Sequence, residues 1–293
     1  MFFNKMIRFM AIIKEARIPL QLYTLTGFFL GLLINHVYPN KLVMLAFLSW
    51  FFLSTGATLF NDYYDKDKKP LIGLEKPVRI KKDILYSSLI LKLTGLVIAI
   101  FFLPKLFLFL YLCGLFGSIT YSHKHIRIKS KTIPSIFYSF ASGVATFVVA
   151  ASLVSEILSI QNVLGALGTG FFLSTFHIIT QIHQTKEDKK RKDITLAIKF
   201  GKKTALKICL ILLILSTTFI LSSIYLSPIT NLLLVPVGIY FAITFGMIGK
   251  WMLKEKPRTS DNKDYKIMKK LTSILLNLGF ILIFVAYFYL TLF

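Results

Sequence analysis

Apolar residues fall in runs along this chain, and short segments between the runs gather most of its Lys, Arg, Asp and Glu. The runs are roughly 18–25 residues long, the length a helix needs to cross the hydrocarbon core of a bilayer. A helix is also the form a single span must take, because lipid offers no partner to an unpaired backbone N–H or C=O. Spans are predicted at about 18–36, 42–60, 85–103, 105–122, 133–154, 160–181, 204–226, 228–250 and 271–292. Residues 1–17 precede them and mix Phe, Met and Ile with Lys5, Arg8, Lys14 and Arg17. No small-residue cleavage site follows, so this segment reads as an amphipathic helix on the membrane surface rather than a signal peptide. The expected fold class is all-α: a polytopic membrane helix bundle with about nine transmembrane helices.

Polar positions interrupt two of the runs at helical spacing. Ser54, Thr58, Asp62 and Asp65 recur at steps of four, four and three, and Ser174, His177, Gln181, Gln184 and Asp188 at three, four, three and four. Residues so spaced share one helix face. A polar stripe on an otherwise apolar span is expected to face the bundle interior or a water-filled cavity, since exposure to lipid is costly. Two stripes ending in carboxylates predict a central cavity open to the cytoplasmic side. The plain alternative, that acids cap helices or solvate loops, is assigned to Asp67, Asp83, Asp193, Asp261 and Asp264, and His177 is assigned to packing.

Composition agrees with lipid as the solvent: 55% of the residues are hydrophobic and 16% charged, against about 25% charged in soluble domains. Cys113 and Cys209 lie inside apolar runs and read as packing residues, not as a disulfide or metal framework. The net charge of +22 would suit nucleic acid if it formed one patch, but it does not. Lys and Arg crowd the N-terminal segment and the loops after the second, fourth, sixth and eighth spans, while Lys41 and Lys105 stand on the other side. That is the positive-inside pattern of a multi-pass protein of the cell inner membrane with its N-terminus in the cytoplasm. Nucleic acid is therefore not expected as a partner. Membrane lipid is, and the basic face would attract anionic headgroups or a phosphorylated substrate.

Carboxylates at i and i+3 offer hard oxygen ligands, and few nitrogen or sulfur donors accompany them. This suits Mg²⁺, which takes one or two carboxylates together with water and substrate phosphate. Nearby cations, among them Lys68, Arg79, Arg127, Lys129 and Lys189, can hold phosphate oxygens. Departure of a diphosphate from an allylic carbon develops charge that a metal and such cations stabilise.

The residues so assembled resemble the UbiA superfamily of intramembrane prenyltransferases. Asn61-Asp62-Tyr63-Tyr64-Asp65 resembles the start of the family's first motif, N-D-x-x-D-x-x-x-D. Tyr121-Ser122-His123 through Arg127-Ile128-Lys129 is similar to the Y-S…R-L-K segment after the fourth helix. Glu187-Asp188, followed by Thr195-Leu196-Ala197-Ile198-Lys199-Phe200-Gly201, resembles the second motif, D-x-x-x-D, and its trailing T-L-A-V-R-x-G. The last Asp of the first motif is replaced by Lys69, and the first Asp of the second by Gln184. The runs from Asp65 to Pro77 and from Gln181 to Asp188 are similar to those of a divergent subgroup.

The resemblance implies that residues 1–293 form one prenyltransferase-like transmembrane domain. It implies Mg²⁺ as cofactor and transfer of an isoprenyl group from a prenyl diphosphate to a lipophilic acceptor. Asp62, Asp65 and Asp188 become the catalytic candidates, and Asp62, Asp65, Glu187 and Asp188 the metal ligands. Substrate-binding candidates are Asn61, Arg79, Tyr121 and Arg127, with Lys129, Gln181, Gln184 and Lys189 in the later segments. The competing expectation is a non-catalytic lipid-binding or transport protein using the same cavity. Paired Gly/Pro breaks in corresponding halves would favour it, and Pro236 and Gly238 find no matching pair.

Overall fold

A computed structural model describes residues 10–65, 74, 81–154, 157–255 and 261–292. Among the described residues the chain is helical, and nine helices are long and apolar enough to cross a membrane. The first of these runs Met10–Ile34 and is broken twice. Residues 10–16 are helical, Arg17 takes a left-handed backbone (φ 48°), and helices α1 (Ile18–Thr24) and α2 (Thr26–Ile34) follow. The remaining long helices are α3 (Lys41–Asp65), α4 (Lys81–Phe102), α5 (Lys105–Ser122), α6 (Thr132–Ala151) and α7 (Ile160–Ile182). Two short helices, α8 (Thr185–Lys190) and α9 (Leu196–Phe200), lead to α10 (Lys202–Tyr225), α11 (Leu234–Lys254) and α12 (Asp261–Leu292).

The chain divides into two compact units, Met1–Leu25 with Pro39–Arg127, and Thr26–Tyr38 with Ile128–Phe293. In the first unit α3 packs against α4 and α5, and hydroxyl groups tie the helices together. Ser49 donates to the carbonyl of Gly95 (2.8 Å), Ser88 to that of Gly56 (2.6 Å) and Tyr111 to that of Lys92 (2.7 Å). Helices in lipid gain nothing from burying apolar surface against each other, so close packing and such hydrogen bonds hold them. Early in the first span, Ala16 packs with Leu59 and Ile84.

In the second unit α7 lies between α6 and α10. Gly143 lets α6 approach closely, for a Cβ there would meet the Thr169 carbonyl oxygen at 2.5 Å. Asn35 and Asn162 exchange amide hydrogen bonds of 2.7 and 2.8 Å. Gly201 joins α9 to α10 at φ 85° and ψ 156°, a conformation open to little but glycine. Large apolar side chains such as Phe101 (73% exposed) and Phe116 (69%) stand on the outside. In water they would be an aggregation hazard, and in a bilayer they match their solvent.

Several boundaries move from their sequence positions. The helix of the predicted span 42–60 extends to Asp65, so Asp62 and Asp65 lie on α3 itself, as their spacing with Ser54 and Thr58 predicts. The last helix begins at Asp261, ahead of the predicted span start at 271, because polar residues continue the helix outside the apolar run. Pro236 falls in the first turn of α11, where its missing N–H costs no helical hydrogen bond.

Candidate functional site

In the first unit the polar stripe of α3 is matched by the N-terminal segment. Ser54 donates to Gln21 Oε1 (2.7 Å), and Gln21 Nε2 donates to Thr58 Oγ1 (2.9 Å). One turn further along, the Arg17 guanidinium pairs with the Asp62 carboxylate through both of its oxygens. Both side chains are buried, 9% exposed for Arg17 and 6% for Asp62. Asp65 accepts from Arg127 Nη2 at 3.2 Å. Asn61 Oδ1 accepts from Ser122 Oγ at 3.0 Å, which ties the start of the motif to the end of α5. Tyr121 is half-buried at that same helix end. Behind the motif, Lys92 is buried with Nζ 4.1 Å from the centre of the Phe60 ring, a cation–π contact that offsets part of the cost of its burial.

The two arginines facing the motif share an uncommon backbone. Arg17 (φ 48°) and Arg127 (φ 42°) both lie in the left-handed region, which costs a non-glycine residue on the order of 1–3 kcal/mol. Each sits at a helix break, where a turn aims the guanidinium at a carboxylate of α3.

The second unit carries the later motif. Asp188 is buried and accepts from Arg191 Nη2 at 2.7 Å, while Arg191 Nε lies 3.3 Å from Asp193 Oδ2. The loop is closed by Asp193 N donating to the Asp188 carbonyl (2.9 Å) and by Ile194 N donating to that of Ser130 (2.8 Å). An isolated parallel bridge pairs Lys131 with Ile194, so the turn containing the buried Lys129 is fastened to the later motif. Glu187 is partly buried and Lys189 exposed.

The stripe expected along residues 174–188 is interrupted. Helix α7 ends at Ile182, His183 and Gln184 form a turn, and α8 starts afresh at Thr185. Gln181 and Asp188 therefore do not share one continuous helix face, although Asp188 N still donates to the Gln184 carbonyl at 2.9 Å. Gln181 instead pairs with His177, Nε2 to Nε2, at 3.0 Å, and its Oε1 is buried without a hydrogen-bond partner among the described residues.

Two of the acids assigned to helix capping or loop solvation prove to be buried. Asp193 belongs to the Arg191 cluster, and Asp264 is fully buried between Lys202 and the Trp251 indole N–H (3.4 Å). Arg79, with Lys68 and Lys69, lies outside the described residues. Sequence reasoning missed Arg17 as a partner of Asp62, having assigned it to the membrane-surface segment. The available signal was Gln21, one helical turn later at the head of an apolar run.

The first motif itself offers oxygen donors, the carboxylates of Asp62 and Asp65 and the amide of Asn61. Among the described residues no three His, Cys, Asp or Glu side chains converge as a ready-made metal cage. Asp62 and Asp65, with the Asn61 amide beside them, are hard oxygen donors of the kind that suits a divalent cation.

The profile of the UbiA prenyltransferase family matches residues 22–274. No curated protein matches in sequence. Among solved structures, a UbiA homolog from Archaeoglobus fulgidus bound to GPP and Mg²⁺ is similar at a TM-score of 0.70 and 17% identity, covering 93% of this chain and 99% of that one. An apo UbiA homolog from Aeropyrum pernix K1 gives 0.65 at 16% identity, covering 91% and 96%. A digeranylgeranylglyceryl phosphate synthase gives 0.63 at 18% identity, covering 96% and 99%.

Proposed function

The chain belongs to the UbiA prenyltransferase family, and from that membership we propose that it is a membrane prenyltransferase using Mg²⁺ to transfer an isoprenyl group from a prenyl diphosphate to a lipophilic acceptor. The observation that carries the reading is the pair Asp62 and Asp65, carboxylates held at the end of a membrane span by Arg17 and Arg127. A carboxylate pair buried in a membrane protein is costly and is kept for function.

Asp62 and Asp65 would hold the metal in the first unit, and Glu187 and Asp188 would do so in the second. Bound there, Mg²⁺ would neutralise the negative charge that builds on a departing diphosphate. Arg127, and Arg79 further along the sequence from the first motif, would donate to diphosphate oxygens, as would Lys129 and Lys189 of the later segments. Asn61 and Tyr121 would position the donor, and Gln181 and Gln184 would supply neutral hydrogen-bonding groups to the bound substrates. In the transfer the allylic C–O bond breaks with its electron pair leaving on the diphosphate. The allylic carbon then bonds to the acceptor nucleophile, which releases a proton. The basic loops support a cytoplasmic N-terminus and a membrane face that draws in the diphosphate.

Purified protein in vesicles, given a radiolabelled prenyl diphosphate and the host's lipid extract, tests this directly. The expected outcome is label in a lipid product, lost on adding EDTA and restored by Mg²⁺. Transfer that persists in excess EDTA would sink the metal assignment.

A further inference from the structure

We propose that Arg17 is an exchangeable counter-ion: it holds Asp62 until metal and diphosphate arrive, then turns its guanidinium to the diphosphate. The inference rests on the prenyl-diphosphate reading above and assigns to the N-terminal segment a substrate-binding role at the first motif.

A guanidinium matches a carboxylate and a phosphate with the same fork of N–H donors, so it can pass from one to the other without changing its chemistry. As the structure stands, Arg17 Nη2 donates to both oxygens of Asp62, so a metal cation approaching that carboxylate meets the positive charge of the guanidinium. Its position supports release rather than permanent pairing. Arg17 stands at a left-handed break between helical residues 10–16 and α1, so rotation there can move the side chain without disturbing α1. Just beyond, Gln21 fastens α1 to α3 through Ser54 and Thr58, which confines such a movement to Arg17 and the residues before it. Asp65 and Arg127 repeat the design, again with a left-handed arginine. A pair that only joined two helices would need no such backbone.

The exchange has a signature of opposite signs. Without Arg17, Asp62 should bind a bare cation more tightly, because a competing positive charge is gone. Diphosphate should bind less tightly, because a charge-assisted donor is gone. Removing such a hydrogen bond corresponds to roughly tenfold in affinity, and a similar gain is expected for the metal.

The test uses the full chain in detergent and two probes, Mn²⁺ alone followed by paramagnetic resonance, and GPP in the presence of Mg²⁺ followed by calorimetry. Arg17→Gln should bind Mn²⁺ roughly tenfold more tightly and GPP roughly tenfold more weakly than the unaltered protein. Arg17→Lys keeps the charge but loses the fork. Its Mn²⁺ affinity should stay near that of the unaltered protein while GPP affinity falls by a smaller factor. If both affinities drop in Arg17→Gln, or neither moves, Arg17 is a structural pair and the proposal is overturned. Should Arg17→Gln not fold, unchanged GPP affinity in Arg17→Lys overturns it alone. If the unaltered protein binds neither probe, the functional reading fails and this inference with it. Binding of both probes with same-sign effects in Arg17→Gln would overturn the exchange alone.

Discussion

Asp62 answers two demands, holding the buried Arg17 guanidinium and offering oxygen to a metal, and substitutions can separate them. Asp62→Ala leaves the guanidinium buried without its carboxylate, a change that costs about 3–5 kcal/mol. Asp62→Asn keeps one amide oxygen for Arg17 but removes the charge a metal needs. We predict that Asp62→Asn stays folded, melting within a few degrees of the unaltered protein, while Mg²⁺-dependent transfer falls by roughly 100-fold. Thermal melting and a transfer assay on the same preparation check both halves. The candidate residues Asp62 and Asp65 were legible from sequence because Ser54 and Thr58 continue their spacing up the same face. Arg17 was not, since pairing across 45 positions leaves no periodic trace.

Among elements, the segment from α7 to α9 departs furthest from its pattern. A three-four repeat persists through Gln184 to Asp188 in the sequence, yet the helix stops at Ile182 and restarts at Thr185. Periodicity registers which residue types recur and not whether the backbone hydrogen-bond ladder is continuous. Helix α12 departs in the other direction, starting within a polar segment that hydropathy excluded. Near its start, Asp264 is buried against Lys202 of α10 and Trp251 of α11, clamping three helices at one level. Asp264→Ala should therefore destabilise the protein by about 3–5 kcal/mol by leaving Lys202 near the interior without its charge partner. Asp264→Asn should cost less. Activity per folded molecule should be unchanged in both, since neither removes a proposed ligand. Unfolding in graded denaturing detergent measures the first effect, and a loss confined to turnover would contradict this role.

For the whole molecule, charge placement and span count set the topology together. With nine spans among the described residues and the basic loops on the same side as the N-terminus, Phe293 should lie across the membrane from that side. A phosphatase reporter fused after Phe293, active only outside the cytoplasm, is expected to be active. Fused after Lys254 it is expected to be silent. A silent reporter at Phe293 would mean that one apolar helix does not cross. The division into two compact units was not visible in hydropathy. It follows from which helices share packing, with the first span contributing to both units on either side of Leu25.

Sequence alone determined that this chain is built of apolar helices long enough to cross lipid, and charge placement carries the prediction of which side its loops face. Hydrophobic length and charge are properties summed over a segment, and they act on each segment independently of its neighbours. Sequence also determined the candidate carboxylates, through motif spacing that any α-helix converts into a shared face. Which cation meets which carboxylate was decided only by the tertiary structure: Arg17 with Asp62, Arg127 with Asp65, Arg191 with Asp188 and Lys202 with Asp264. A long basic side chain reaches several acids from one backbone position. The turn that aims it, left-handed at Arg17 and Arg127, is fixed by the packing of the helices on either side.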